Sequence, residues 1–251
     1  MGITQTFYDD LAPQYDKLFL DWDVAVREQA VILDKLFAGN GYDRSARVLD
    51  CACGIGTQAI GIAMLGYPVT ASDLSEGALA QARERAAKRN ARIPFVKTDF
   101  CALEKTFREQ FPIVIAMDNA LPHMLTGNAL EAAVKSILGR VAPGGMFVAS
   151  IRDYDALLQN KPPYSPPYIH QTGNAQRVAF QTWHWEGENY RLIQYIIEDA
   201  DTLQVSKFSC EYRATRREEL TDLLTKYGCK SVRWLFPEET GFYQPIVIGK
   251  K

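Results

Sequence analysis

Short apolar runs alternate with amphipathic stretches along this chain. The run 46–49 stops at Asp50, and the run 67–71 leads to Asp73. Further runs of strand length stand at residues 93–96, 113–117 and 146–151, with β-branched side chains in each. Between them, residues 57–65, 75–89 and 128–138 read as helices, with Ser75 placed to cap the second. Two helices are predicted ahead of the first strand, over 5–20 and 24–37. In the latter Val24, Ile32, Leu33, Leu36 and Phe37 recur at roughly helical spacing, and Gly39 and Gly41 end it. Strands alternating with helices predict an α/β chain, with a parallel sheet covered on both faces and ligands bound beyond the strand C-termini.

After Arg152 the rhythm changes. The segment 161–167, KPPYSPP, is excluded from helix or central strand by its four prolines. Three extended segments follow, about 177–186, 190–199 and 203–212, joined by EGEN and EDADT as hairpin turns. They predict a three-stranded antiparallel lid inserted in the α/β core. A helix over 217–227 and strands over 231–236 and 245–249 return the chain to the main sheet.

The first strand breaks into a turn containing Gly54 and Gly56 and then a helix, which brings backbone amides and a helix N-terminus against a ligand. Asp73, ending the second strand, is placed to accept from ribose hydroxyls, so the site should hold an adenosine-type cofactor. Gly54, Gly56 and Ala59 fit a dinucleotide fingerprint loosely. Asp50 and Cys53, however, stand where a pyrophosphate wants amides and no negative charge. A carboxylate at this turn suits a cofactor carrying an ammonium group. Polar residues end every strand expected to border the cleft: Asp50, Asp73, Asp99 before Phe100, Asp118 and Asn119 after Met117, and Arg152. Asp99 and Phe100 suit adenine.

The composition, with 47% hydrophobic residues among 251 and a net charge of −2, supports a substantial core. It argues against sequence-independent nucleic-acid binding, which needs clustered Lys and Arg. No apolar run approaches a membrane span, and no signal-peptide pattern precedes the first helix, so a cytoplasmic protein is expected. The five cysteines are too scattered for a disulfide framework and lack zinc spacing, so no metal is expected.

The pattern D-x-A-C-G-x-G-T, from Asp50 to Thr57, resembles motif I of the class I S-adenosylmethionine-dependent methyltransferases. Three stretches narrow the resemblance: YDDLAPQYDKLF (8–19) followed by Arg27, MDNALPHML (117–125) and SIRDYDALL (150–158). With these the chain is similar to the glycine N-methyltransferases and the glycine/sarcosine N-methyltransferases. The resemblance implies a Rossmann-like seven-stranded sheet in a single domain. Residues 1–40 would form a helical cap, 41–159 and 214–251 the cofactor-binding core, and 160–213 the lid. It implies S-adenosylmethionine as methyl donor and S-adenosylhomocysteine as product, held by Tyr15, Arg27, Asp50, Ala52, Gly54, Gly56, Asp73, Leu74, Asp99, Phe100, Met117 and His123. It places the substrate carboxylate on Arg152 and Asn119, with Tyr8 covering the site and Tyr195 of the lid facing the substrate. His123 is implied to pack and hydrogen-bond beside the cofactor, and is the one residue that could serve as a base. The implied reaction methylates the amine of glycine or sarcosine, in an osmolyte (betaine-pathway) or methyl-balance role, with no nucleic-acid or membrane partner.

The chain departs from the family in its short arm before Tyr8, which leaves the oligomeric state open, and in CACGIGT where VACGTGV or VACGTGT is usual. Amino-sugar N-methyltransferases share the core pattern and give the alternative acceptor. An NAD-type oxidoreductase and a non-catalytic S-adenosylmethionine-binding module are the other readings.

Overall fold

The computed structural model describes residues 2–172, 175–198 and 204–251. Its main sheet has seven strands in the order β3-β2-β1-β4-β5-β11-β10. These are β1 (Val48–Asp50), β2 (Val69–Asp73), β3 (Phe95–Lys97), β4 (Phe111–Ala116), β5 (Val141–Ser150), β10 (Ser231–Leu235) and β11 (Ile246–Lys250). The first five run parallel, while β11 is antiparallel to both β5 and β10. In β4, Val114 and Ala116 enter the core on one face of the sheet, Ile113 and Ile115 the core on the other. A strand buried on both faces has to read as an unbroken apolar run.

The helices are α1 (Ile3–Leu11), α2 (Trp22–Gly39), α3 (Thr57–Met64), α4 (Glu76–Lys88), α5 (Gly127–Leu138), α6 (Tyr154–Asn160), α7 (Arg217–Lys226) and the single turn α8 (Pro237–Thr240). Capping side chains set several starts: Asp21 accepts from the Val24 amide, Ser75 from Ala78 and Thr126 from Ala129. The single helix expected over 5–20 is instead α1 followed by a 3₁₀ turn, Ala12–Leu18. Pro13 has no amide to donate back along a continuing α-helix. The packing of α2 on α3 depends on Gly61, where a Cβ would lie 2.5 Å from the Val26 carbonyl oxygen and 2.8 Å from the Ala30 Cβ.

A second, antiparallel sheet has four strands rather than three: β6 (Tyr168–Thr172), β7 (Ala175–Glu186), β8 (Asn189–Glu198) and β9 (Gln204–Arg213). β6 pairs with the first half of β7. It follows directly on the proline segment, whose composition masks a strand at its end. The hairpin expected at EGEN joins β7 to β8. The one expected at EDADT falls, beyond Glu198, outside the described residues.

In β8, Tyr190, Leu192, Gln194 and Ile196 are buried, and their neighbours alternate to the other face. That buried face of the sheet covers the C-terminal ends of the parallel strands, with β9 packed on α1 and on the short helix Leu121–His123.

Candidate active site

β1 delivers the chain into the glycine turn. The Cys51 amide donates to Ile115 O, Cys53 to Ser72 O and Gly56 to Cys53 O. Gly56 has φ +91° and caps α3, and a Cβ there would sit 2.8 Å from the Ile60 Cδ1, so the turn needs glycine twice over. The Gly54 amide donates to Asp73 Oδ2 (2.8 Å) and Ser75 to Asp73 Oδ1 (2.9 Å), tying the turn to the end of β2.

The resulting pocket is lined by Ala52, Gly54, Asp73, Leu74, Asp99, Phe100, Met117 and His123, with Tyr8, Tyr15 and Asp118 among the others. Asp50 and Gly56, expected in the lining, are not part of it: Asp50 is buried at the end of β1 and Gly56 caps α3. Asp50 Oδ1 accepts from the Ala52 amide, while Oδ2 is buried with no hydrogen-bond partner. Burial, reinforced by the charges of Asp73 and Asp118, pushes the Asp50 carboxyl up to about 8. Asp73 and Asp118 are also raised, chiefly by burial.

Among the described residues this pocket has three carboxylates in its lining and no Lys or Arg. That donor set repels a pyrophosphate and fits a cofactor carrying a sulfonium and an ammonium. Asp73 keeps lone pairs free for ribose hydroxyls. Arg27 is not part of the pocket. The buried stripe of α2 runs through Trp22, Val26, Gln29, Ala30 and Leu33, and Arg27 lies on the exposed side. Helical period brings Gln29 into the cleft instead, where its Oε1 accepts from Gln58 (2.6 Å).

A second cavity of about 1180 Å³ opens on the other side of Tyr8, Tyr15 and Asp118, which line both. After β4, Asp118 and Asn119 stand at φ +55° and +66°, a left-handed pair that Asp and Asn tolerate better than most residues. Their amides are held by Ser150 Oγ (2.8 Å) and Ser150 O (3.0 Å). Asn119 Oδ1 accepts from the Arg152 amide and from the Tyr154 hydroxyl, and its Nδ2 is buried with no partner.

Arg152 donates to the Tyr190 hydroxyl (2.7 Å) and Gln181 Oε1 (3.0 Å), under the rings of Trp183 and Tyr212. Both groups it donates to are neutral, and among the described residues it forms no ion pair with a carboxylate. Asn119 and Arg152 therefore stand side by side, an amide donor without a partner next to a guanidinium without an acidic neighbour. The lid tyrosine beside them is Tyr190, not Tyr195. Residue 195 is odd in a strand whose even positions face inward, and its ring stacks on Phe180 on the opposite face. Tyr212 of β9 completes the aromatic wall, stacked on Tyr190.

His123 Nδ1 lies 3.3 Å from Glu211 O and Nε2 lies 2.8 Å from the Tyr8 hydroxyl. A carbonyl can only accept, so Nδ1 carries the proton and Nε2 accepts a hydrogen bond from the Tyr8 hydroxyl. Burial pushes its pKa down to about 4. A histidine with its lone pair engaged and this low a pKa orients Tyr8 and is a poor base at neutral pH.

Sequence reasoning did not assign roles to Gln29, Gln58, Gln181, Tyr154, Tyr212 or Tyr243. Strand parity could have found Tyr190 and Tyr212, since they pair directly across β8 and β9. The others come from distant segments with no local signal.

Residues 48–145 match the family model of a methyltransferase domain. The glycine/sarcosine N-methyltransferase of Aphanothece halophytica is 22% identical over 152 residues, which is 61% of this chain and 56% of that protein. The chain spans about half the length of the curated relatives it matches. Among solved structures, an S-adenosylmethionine-dependent methyltransferase from Clostridium acetobutylicum superposes with TM-score 0.75 at 16% identity, covering 97% of this chain and 98% of that one. An amino pentose methyltransferase from Micromonospora echinaspora, solved with S-adenosylmethionine bound, superposes with TM-score 0.72 at 19% identity, covering 90% and 91%. Residues 48–145 thus resemble a methyltransferase domain, and the chain has the fold of the class I S-adenosylmethionine-dependent methyltransferases.

Proposed function

We propose that the protein transfers a methyl group from S-adenosylmethionine to the amine of a small molecule that also carries a carboxylate, glycine or sarcosine being the simplest. The observation that carries this reading is Arg152, a cation facing the large cavity without an acidic partner, beside the unpartnered Nδ2 of Asn119. A guanidinium binds a carboxylate through two parallel hydrogen bonds, and the amide adds a third. S-adenosylmethionine, when bound, supplies a methyl group on a cationic sulfur. Asp73 would hold its ribose, Asp99 and Phe100 its adenine, and the carboxyl of Asp50 its ammonium end. Tyr8 and Tyr15 form the wall between the cavities. Catalysis would then rest on positioning and desolvation, and orientation alone can supply about 7–11 kcal/mol. In this reading residues 1–40 act as the cap, 41–159 and 214–251 as the core, and 160–213 as the lid.

A second reading, an amino-sugar acceptor, has its own support. The cavity exceeds the roughly 300–1,000 Å³ of pockets for drug-sized ligands. It extends to His170 of β6, which is 6% exposed with neither ring nitrogen partnered. A turnover assay with labelled S-adenosylmethionine against glycine, sarcosine, dimethylglycine and amino sugars separates the two. Turnover of the amino acids alone supports the first reading, turnover of the sugars alone replaces it, and binding of S-adenosylmethionine with no turnover of any amine would sink both.

A further inference from the structure

The wall shared by the two cavities carries one group that is charged as a rule, the carboxyl of Asp118. Tyr8 and Tyr15 are its companions there, so a methyl group crossing from the cofactor side to the acceptor side passes this carboxylate. Its geometry is over-determined. The Tyr243 hydroxyl donates to Oδ1 (2.7 Å) and Gln58 Nε2 to Oδ2 (2.8 Å), while Gln58 is itself held by Gln29. The backbone is fixed in the left-handed region with its amide on Ser150 Oγ. Both donors are neutral, and among the described residues no Lys, Arg or His forms an ion pair with it. They aim the carboxylate without neutralising it, and each oxygen keeps a lone pair.

We propose that Asp118 receives the ammonium group of the methyl acceptor and takes its proton, so that this site selects amines over hydroxyls. The proposal rests on the reading of the large cavity as the acceptor site. The acceptor nitrogen gives one proton to an Asp118 oxygen, and the electron pair so freed forms the new N–C bond. The S–C bond breaks with its pair left on sulfur. The Asp118 proton then passes to solvent as the methylated ammonium leaves. Removal from water disfavours both charged partners, which brings the ion pair and the neutral pair closer in energy.

The groups around Asp118 are compatible with this role. Tyr243 and Gln58 bond it, and its charge reaches Tyr15 and Asp50, each of which it raises. The charge of Arg152 acts on Tyr15 and Tyr243 in the opposite sense, lowering each. Burial raises the Asp118 carboxyl, against the lowering effect of its two hydrogen bonds. Acceptor binding should accordingly weaken as pH falls through that raised value.

The test is calorimetric and does not depend on turnover. Protein saturated with S-adenosylhomocysteine is titrated with two pairs of probes, glycine against acetate and 3-amino-3-deoxyglucose against glucose. Asp118→Asn suits the left-handed backbone and keeps the side-chain shape. It is expected to lower affinity for the amine of whichever pair binds by at least about tenfold, to leave the amine-free partner bound as before, and to abolish the acidic limb. Tyr243→Phe, lacking the donor at Oδ1, is expected to move that limb to higher pH. Equal loss for both members of a pair, loss of S-adenosylmethionine affinity alone, or failure of every amine to bind would overturn the proposal. Discrimination confined to the sugar pair and lost in Asp118→Asn would leave it standing while removing the amino-acid reading.

Discussion

Replacing Arg152 with methionine separates a binding cation from a structural one. The substitution keeps much of the side-chain volume and removes the charge. Neither group that Arg152 bonds is left without a partner: the Tyr190 hydroxyl retains Tyr154 (2.9 Å), and Gln181 Oε1 retains Trp183 Nε1 (3.0 Å). The stacking of the guanidinium over Trp183 and Tyr212 is lost, at about 0.5–2 kcal/mol each. Against this, an unpaired cation no longer has to be held out of water, which offsets several kcal/mol. Folding stability should therefore change little, and the melting temperature should stay within roughly 4 °C. Acceptor binding should suffer. Two charge-assisted hydrogen bonds to a carboxylate, at about 1.5–3 kcal/mol each, make KM for a carboxylate-bearing amine rise by roughly 10²–10⁴-fold. Steady-state kinetics on the acceptor that turns over, together with a thermal melt, give the answer. An unchanged KM with a depressed kcat, or a fall in melting temperature beyond about 8 °C, would refute the reasoning.

Other substitutions probe the remaining parts of the site and the frame that carries it. Asp50 binds its proton more tightly folded than unfolded, so stability of the cofactor-free protein should decline as pH rises from about 4 to about 8. Asp50→Asn should flatten that slope and weaken S-adenosylmethionine binding, and a melt-against-pH series identical to the parent would count against the buried carboxyl. His123 runs the other way: with its pKa lowered from 6.5 to about 4, stability falls as pH drops through that window, by on the order of 3 kcal/mol in total. His123→Asn should remove that loss and leave the pH profile of kcat/KM flat between 6 and 7. A parent profile with a limb near 6.5 that vanishes in the variant would make His123 a base. Tyr8→Phe orphans His123 Nε2 and should cost about 1–3 kcal/mol in chemical denaturation; no measurable change would mean the hydrogen bond is not made in solution. Gly61→Ala should separate α2 from α3 and cost about 1–3 kcal/mol, and an unaltered midpoint would contradict the close approach.

Much of the framework was legible because it is local. An apolar run of strand length, a glycine turn and a capped helix declare themselves within ten or fifteen residues, and Gly54 and Gly56 do stand at positive φ. The carboxylates at the strand ends were legible too, since a parallel sheet collects its C-terminal ends on one side. Where the pattern misled, the missing information was orientation. Arg27 is two residues from Gln29, and Tyr195 five from Tyr190. Which of them faces the cleft depends on the phase of a helix or strand, set by what packs behind it. A one-residue error in a strand turns the side chain to the opposite face.

The sequence by itself determined that an α/β sheet would gather Asp50, Asp73, Asp99, Asn119 and Arg152 beyond its strand C-termini, because strands and their ends are encoded in short-range periodicity. Only the tertiary structure decided what each of those groups is next to. Gln29 and Tyr243 reach Asp118 and its partner Gln58 from opposite ends of the chain. Tyr190, Gln181 and Trp183 of the second sheet surround Arg152. Burial then moves Asp50 and His123 far from their ordinary pKa values. Such contacts join residues tens to hundreds of positions apart, so no window of sequence contains them, whereas desolvation and hydrogen bonding act on whatever the fold brings within a few ångströms.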